Sequence, residues 1–400
     1  MTIRRKVIPL ECLVGDKCVG DMTASKKTRV FGASEQVAVE RGLNEFRAGR
    51  PIILNAADES VVALPVDGMT DPGLAAFRQL CLPARPCLLI TSRRARTLGL
   101  DGDSPIGLAI GDLLDAAAIF ALAADRRNAR RLELVPAGES AGAAIALAKL
   151  AQRLPALLIG PAGAAAGVSD PPLITVAAEA VAAFRRIAIE SIAIAAETTI
   201  PINGASPARF VVFRDGLGGT PVAVIVGKPD LTQPVAVRLH SACLTGDVFG
   251  SRRCDCGDQL RLALPQLEQH GGGIVLYLEQ EGRGLGIANK IRTYQLQDAG
   301  LDTVDANTVL GFDDDERDYG LAVRMLQVLG CTRVRLLTNN PAKLEGLSRA
   351  GIDVSGRVPL QGPINAHNRR YLAAKATRAG HKLDHVLRSL TGSGDGPQQA

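Results

Sequence analysis

The sequence predicts an α/β protein (mixed α+β order) of two domains, each a mixed sheet with packed helices. Three observations carry that prediction. Short apolar runs alternate with helical patterns along most of the chain, the order expected of sheets covered by helices. A chain of 400 residues is long enough for more than one core. Between residues 197 and 206 the pattern breaks at Pro201 and the turn pair Asn203-Gly204. That break divides the chain into residues 1–200, 201–388 and a Gly/Ser/Gln-rich tail at 389–400 that reads as disordered.

Each element follows from local chemistry. The first thirty residues, ending in Ser25-Lys-Lys-Thr-Arg29, have weak periodicity and read as a loose leader. Over 35–48, Val37, Leu43 and Phe46 suggest a helix and Gly49 supplies a stop. Residues 51–54 and 61–66 read as strands, 71–82 as a helix, and 87–90 as a strand leading to a basic turn at 92–96. Ala-rich 141–153 is helical, 156–159 is a strand, 160–172 is a Gly/Ala/Pro surface loop, and 176–196 is one long closing helix. In the second half, 208–213 and 222–226 form a hairpin across Asp215-Gly-Leu-Gly-Gly219. Strands at 235–239, 273–278 and 334–337 each run into a polar segment rich in chemistry. Helices over 287–299 and 318–329, and one ending at Gly351, complete the pattern.

Composition narrows the function classes. Apolar residues make up 46% of the chain, aromatics only 3%, and Trp is absent, so both cores must be built from Ala, Val, Leu and Ile. A formal charge of +5 is near balance, which argues against a nucleic-acid partner while leaving room for local phosphate sites. No stretch reaches the uncharged apolar length of a membrane span. The start, Met1-Thr-Ile-Arg-Arg-Lys, has no apolar region behind it, so no signal peptide is expected. Eight cysteines scattered without a secreted-type framework fit a reducing cytoplasm.

Three of those cysteines, Cys243, Cys254 and Cys256, fall in one stretch from Arg238 to Leu260. Cysteines as close as 254 and 256 would strain a disulfide. With Cys243 they could instead close around one zinc ion, leaving the fourth tetrahedral position to water as catalytic sites do. The plain alternative is three reduced thiols, which would have no need of the Asp, Arg, His and Ser residues crowded around them. Glu281-Gly-Arg-Gly-Leu-Gly286 lies between a strand and a helix, where free N–H groups and the helix dipole suit phosphate oxygens. Arg283 adds a bidentate phosphate partner; a simple tight turn is the bland reading. Thr338-Asn-Asn-Pro-Ala-Lys343 repeats the theme, with Asn340 as an N-cap before Pro341 as its structural reading. Gly311-Phe-Asp-Asp-Asp-Glu-Arg-Asp-Tyr319, taken alone, would be an acidic helix entry. Together these segments imply hydrolysis on a nucleotide.

Residues from about 205 to 385 resemble GTP cyclohydrolase II, the enzyme that opens GTP at the start of riboflavin synthesis. The strings that carry the resemblance are Arg238-Leu-His-Ser-Ala-Cys-Leu-Thr-Gly-Asp247, Arg253-Cys-Asp-Cys-Gly257, Gln280-Glu-Gly-Arg-Gly284, Leu296-Gln-Asp-Ala-Gly-Leu-Asp-Thr303, Leu310-Gly-Phe312, Glu316-Arg-Asp318 and Leu336-Leu-Thr-Asn-Asn-Pro341. The resemblance implies Zn²⁺ on Cys243, Cys254 and Cys256, and Mg²⁺ accompanying the triphosphate. It implies GTP contacts at Arg238, Leu239, His240, Ser241, Ala242, Gln259, Glu281, Gly282, Arg283, Thr303, Thr338 and Lys343. Relatives often carry Glu where Ala242 stands, which leaves one contact without its carboxylate. Tyr294 falls where the family has a tyrosine beside the reacting ring. Arg317 matches a residue that acts on the α-phosphorus, as nucleophile or as positive clamp, and Asp315 matches its acid/base partner.

The first half resembles 3,4-dihydroxy-2-butanone 4-phosphate synthase in its order: a helix over 39–49, Arg50-Pro-Ile-Ile-Leu54, and a later segment ending in Leu98-Gly-Leu100. That family needs a dense acidic, Arg-containing loop after its first strand. Here the segment is Asn55-Ala-Ala-Asp-Glu-Ser-Val-Val62, with two acids and no arginine. Glu139-Ser140 stands where the family has a His-Thr pair, and residues 1–239 contain no histidine. The first domain therefore reads as degenerate, retained for structure or for dimerisation in a cytoplasmic homodimer. A bifunctional enzyme and a GTP-binding regulator without turnover are the competing readings.

Overall fold

The computed structural model describes residues 32–125, 133–216, 218–378, 380–383 and 387–388. The expected leader and tail lie outside them. The first sheet contains β1 (Ile52–Ala56), β2 (Glu59–Pro65), β3 (Cys87–Ile90), β4 (Ile106–Ala109), β5 (Leu134–Val135), β6 (Ala156–Pro161) and β7 (Thr175–Ala177), in the order β5-β4-β3-β6-β2-β1-β7. All its pairings are antiparallel except β1 with β7. Alternation along the strands separates two apolar faces. Ile52, Leu54, Val61 and Ala63 meet the helices Ser34–Arg47, Ala141–Leu150 and Ala178–Glu190. Val62, Leu64, Leu88 and Ile90 meet Asp71–Cys81 and Ala116–Ala124.

The second sheet contains β8 (Ala193–Ile200), β9 (Ala208–Arg214), β10 (Val222–Gly227), β11 (Val235–Ser241), β12 (Gly272–Leu278), β13 (Arg333–Leu337) and β14 (Asp353–Val358), in the order β14-β13-β11-β12-β10-β9-β8. Pairings from β8 to β12 are antiparallel, and those from β12 through β11 and β13 to β14 are parallel. The parallel part carries the chemistry, because its C-terminal strand ends open into loops on one side. Helices Gly320–Val328 and Pro341–Arg349 cover one face and Cys256–Gln269 the other. Among the described residues no helix is long and apolar enough to cross a membrane.

Several expectations need correction. The single helix expected over 176–196 is Ala178–Glu190 followed by strand β8. Its alanines look helical, but Thr198, Thr199 and Ile200 are β-branched and pair with β9 at the exposed edge of the second sheet. The basic turn at 92–96 is a short helix, Ser92–Thr97, whose first turn is capped by Thr91 Oγ1 accepting from the Arg94 amide. The surface loop at 160–172 contains the short helix Ala164–Gly167. Residues 55–62 are no loop: β1 and β2 form a hairpin that turns at Ala57 and Asp58. Helix Cys256–Gln269 was hidden by Pro265 inside it, a residue that normally stops a helix.

Gly273 of β12 lies opposite Ala236 of β11, and a Cβ there would collide with the Ala236 carbonyl oxygen and come within 2.6 Å of Leu267 Cδ2. Gly273→Ala should therefore overpack the second sheet and cost about 2–3 kcal/mol of stability, read as a shift in the urea unfolding midpoint. An unmoved midpoint would show that β11 can retreat.

Candidate active site

Strand β11 builds the site. It lies between β12 and β13, and its alternation sends Leu239 into the core while Arg238 and His240 face the pocket. Buried Arg238 donates to the Leu337 carbonyl at 3.0 Å and to Gln259 Oε1 at 2.6 Å. Burial pulls its pKa down to about 10, which leaves it charged at neutral pH. His240 Nε2 donates to Asp247 Oδ2 at 3.0 Å, because a carboxylate can only accept. The same oxygen accepts from the Cys243 amide and the Tyr277 hydroxyl, each at 3.0 Å. One buried carboxylate thus pins the first cysteine's backbone, and burial holds the His240 pKa below its usual value.

The Sγ atoms of Cys243, Cys254 and Cys256 all lie within 4.8 Å of one another. Cys243 and Cys254 are 3.7 Å apart, too far for a disulfide. Thiolates arranged tetrahedrally at about 2.3 Å from a zinc ion would stand about 3.8 Å apart, so the donor set fits that metal. Gly246 completes the cradle: a Cβ there would sit 2.9 Å from Cys254 Sγ and 3.0 Å from Cys243 Sγ. Hydrogen bonds from Cys254 and Cys256, with Lys290 beside them, hold the Cys243 thiol far below its usual pKa, while its two neighbours are pushed up. Three clustered thiols, which give up their protons when they bind a metal, form a site that a divalent cation completes.

Lys290 ties the metal cradle to the glycine segment. Its Nζ donates to Cys243 Sγ at 3.1 Å, Thr245 Oγ1 at 3.0 Å and Glu281 Oε1 at 2.7 Å. The other Glu281 oxygen accepts from the Leu244 amide at 2.7 Å. Glu281–Gly284 forms a 3₁₀ turn in which Arg283 has φ +65°, a left-handed conformation that costs a non-glycine residue energy. Tyr294 stacks under Arg253, whose guanidinium carbon is 4.6 Å from the ring centroid, and burial keeps the phenol protonated.

Across the pocket, cations predominate. Lys343 donates to the Leu239 carbonyl at 2.8 Å, and burial next to Arg317 and Arg238 pushes its pKa well down. It sits in the helix Pro341–Arg349, whose N-cap is Asn340, as the sequence suggested; the Asn340 side chain accepts from the Ala342 amide. Arg317 pairs bidentately with Asp315, at 2.7 Å and 2.5 Å. Burial works against its charge, yet that pairing raises the Arg317 pKa above its ordinary value, and the same contact lowers Asp315 despite desolvation.

Every residue singled out from sequence lines this one pocket except Leu239, whose side chain is in the core, and Asp315, which sits behind Arg317. Ala242 lines it without a carboxylate. Sequence reasoning missed Lys290, Asp247, and the C-terminal residues Tyr371, Lys375 and His381. Lys375 Nζ lies 2.7 Å from Asp255 Oδ1, between the paired cysteines, across 120 residues of chain. Lys290, four residues past the glycines, and Asp247, at the end of a recognised string, were legible as polar residues on helices facing a site. Nothing local marks Lys375. In the first half, the Glu59 carboxylate accepts from the Ser140 amide at 2.8 Å.

A family model described as GTP cyclohydrolase II matches residues 193–359. GTP cyclohydrolase-2 of Azospirillum brasilense is 41% identical over 360 residues, covering 86% of this chain and 93% of that protein. GTP cyclohydrolase-2 of Azotobacter vinelandii is 54% identical over 183 residues, 44% of this chain and 88% of that one. Riboflavin biosynthesis protein RibBA of Bacillus cytotoxicus is 53% identical over 163 residues, 41% of each chain. Among solved structures, a two-domain 3,4-dihydroxy-2-butanone 4-phosphate synthase from A. baumannii aligns over 81% of this chain and 99% of that one, at 15% identity and a TM-score of 0.31, too loosely to bear on the argument. The Azospirillum alignment is too long to fit within the second half alone, so a first half like this one also accompanies the site there. With that match spanning nearly the whole of the relative, the chain belongs to the GTP cyclohydrolase II family.

Proposed function

We propose that the protein hydrolyses GTP to 2,5-diamino-6-(5-phospho-D-ribosylamino)pyrimidin-4(3H)-one, formate and pyrophosphate, the opening step of riboflavin biosynthesis. One observation carries this reading: three clustered thiols that could hold a metal and the cations Arg238, Arg283, Arg317 and Lys343, suited to phosphates, line the same pocket. Cys243, Cys254 and Cys256 are the residues that would hold zinc. A zinc ion held there would supply Lewis acidity for activating a water toward C8 of guanine. Tyr294 lines the pocket, with Arg253 held over its ring, and offers a flat side chain against which a purine ring can lie. Mg²⁺ enters with the triphosphate in this reading, because that cation is held mainly by substrate phosphates and water with one or two carboxylates at most.

Arg317 is better suited to clamp the phosphate than to attack it. Its guanidinium stays protonated, with the Nε/Nη2 edge of its fork engaged by Asp315, and offers no lone pair. Asp315, held ionised by that contact, orients the clamp. The first half is non-catalytic in this reading. Its hairpin 52–65 has no acidic loop, and Glu59 is occupied by the Ser140 amide. The homodimer and cytoplasmic location belong to the same proposal.

Formate and pyrophosphate should be measured separately. Cys254→Ser is expected to lose zinc and formate release; a variant that retained full zinc would remove the metal assignment. Arg317→Ala is expected to keep its zinc while pyrophosphate release falls by about 10²-fold or more. Release at the parental rate would leave Arg317 without its role.

Lys343 should separate binding from stability. Its ammonium is buried beside two arginines with only a carbonyl partner, so the charged form is disfavoured until an anion arrives. Lys343→Met should raise the melting temperature of the ligand-free protein at pH 7, because the lost carbonyl bond is worth only about 1 kcal/mol. It should also raise the KM for GTP at least about 10-fold, since one charge-assisted phosphate contact is lost. A lower melting temperature would show that the lysine is better accommodated than its neighbours suggest.

The full chain incubated with ribulose 5-phosphate and Mg²⁺ should yield no dihydroxybutanone phosphate. Product formation above background, followed by chromatography, would restore the bifunctional reading.

A further inference from the structure

We infer that the first half acts as a brace on residues 309–318, fixing from outside the loop that carries Asp315 and Arg317. The inference rests on the GTP-hydrolysing reading for what the loop does, and on contacts in this chain for how it is held.

The loop crosses from helix Thr303–Val309 to helix Gly320–Val328, and polar groups of the first half meet it along the way. Arg94 is 1% exposed. It donates to the Val309 carbonyl at 3.0 Å and to the Leu122 and Asp125 carbonyls at 2.7 Å each. One guanidinium therefore ties together the C-terminal ends of two helices, one from each half, where unpaired carbonyls gather. Thr91 Oγ1 donates to the Gly311 carbonyl at 2.8 Å, also buried. Gly311 has φ +81°, and a Cβ there would lie 2.8 Å from Thr91 Oγ1, so neither the conformation nor the close approach admits a side chain. Leu310 and Phe312 are embedded in the apolar core of the first half.

The charged contacts come next along the loop. Arg93 Nε pairs with Asp313 at 2.9 Å, and Lys149 Nζ with Asp313 at 3.2 Å and Glu316 at 2.6 Å. The Lys149–Glu316 pair is mostly shielded, with side chains 21% and 15% exposed, so solvent weakens it less than a surface pair. From Glu316 the restraint passes directly to the pocket. The Glu316 amide donates to the Arg283 carbonyl at 3.1 Å, and Arg283 Nη1 donates to the Asp314 carbonyl at 3.2 Å. Asp315 and Arg317 flank the residue that Lys149 holds. Packing alone would not need directional bonds to both sides of that pair.

The test uses the full chain and compares Lys149→Glu with Lys149→Arg. Hydrogen–deuterium exchange over 311–318, read by mass spectrometry, should accelerate in Lys149→Glu, where three carboxylates meet, and recover in Lys149→Arg. Exchange over 336–343 should not change. In GTP turnover, Lys149→Glu should lose about 10-fold or more in kcat with KM within about 2-fold, as misplaced groups do, at unchanged zinc content and melting temperature. Unchanged exchange over 311–318 overturns the brace whatever happens to turnover. A loss of kcat accompanied by faster exchange everywhere and a lower melting temperature also overturns it, in favour of general destabilisation. If the parent chain itself does not turn over GTP, the functional reading fails, and the exchange measurement still decides the brace.

Discussion

Burying several cations around one pocket is the constraint on which the second half depends. Arg238, Lys290, Lys343, Arg317 and Lys375 are all nearly inaccessible, and a buried charge without a partner is expensive. Three are balanced by carboxylates: Lys290 by Glu281, Arg317 by Asp315 and Lys375 by Asp255. Arg238 and Lys343 have only carbonyl and amide partners. The uncompensated pair sits on β11 itself and on helix Pro341–Arg349, and an anionic ligand in the pocket would supply the missing charge. The balanced three hold the frame in place: Lys290 joins the cysteine cradle to the glycine turn, and Lys375 joins the paired cysteines to the C-terminal helix Arg369–Thr377.

Much of this was legible in the sequence, and the limits have physical causes. The strands that carry the site announced themselves as apolar runs ending in polar strings, because a buried parallel strand must be apolar until its chain reaches the open end of the sheet. Helix Cys256–Gln269 was missed because Pro265 contradicts local propensity, and packing of Ala263 and Leu267 against the second sheet overrides it. Strand β8 was read as helix because alanine is the best helix former, while the deciding partner, β9, is a neighbour only after folding. Pairings such as Lys375 with Asp255 bridge long stretches of chain and leave no periodic trace. Residue types at the site were visible; the partners that tune them were not.

The cysteine segment shows how a small sequence feature gains meaning only in three dimensions. Its three thiols converge because Cys243 stands two residues past the end of β11, Cys256 begins a helix, and Gly246 leaves the space between them open. Asp247, one carboxylate oxygen meeting an imidazole, an amide and a phenol, fixes the strand end so that the first thiol cannot swing away. Ligand orientation of this kind usually matters nearly as much as ligand identity.

The glycines of Glu281-Gly-Arg-Gly-Leu-Gly286 complete the argument about the two halves. Read in isolation, they are backbone made thin for phosphate. In the fold, a Cβ on Gly284, at φ +95°, would press on the Glu316 backbone at 3.0 Å. A Cβ on Gly286, at φ +85°, would meet Gln152 of the first half at 2.8 Å. The Asn289 side chain, one turn into the following helix, donates to the Gln152 carbonyl at 3.1 Å. Two of the three glycines therefore serve the fit between loop and neighbour, and the helix that would present its N-terminus to an anion is itself seated on the first half. A chain segment can look like a ligand loop because it satisfies the same steric demand, close approach of bare backbone, even when what approaches is the rest of the protein.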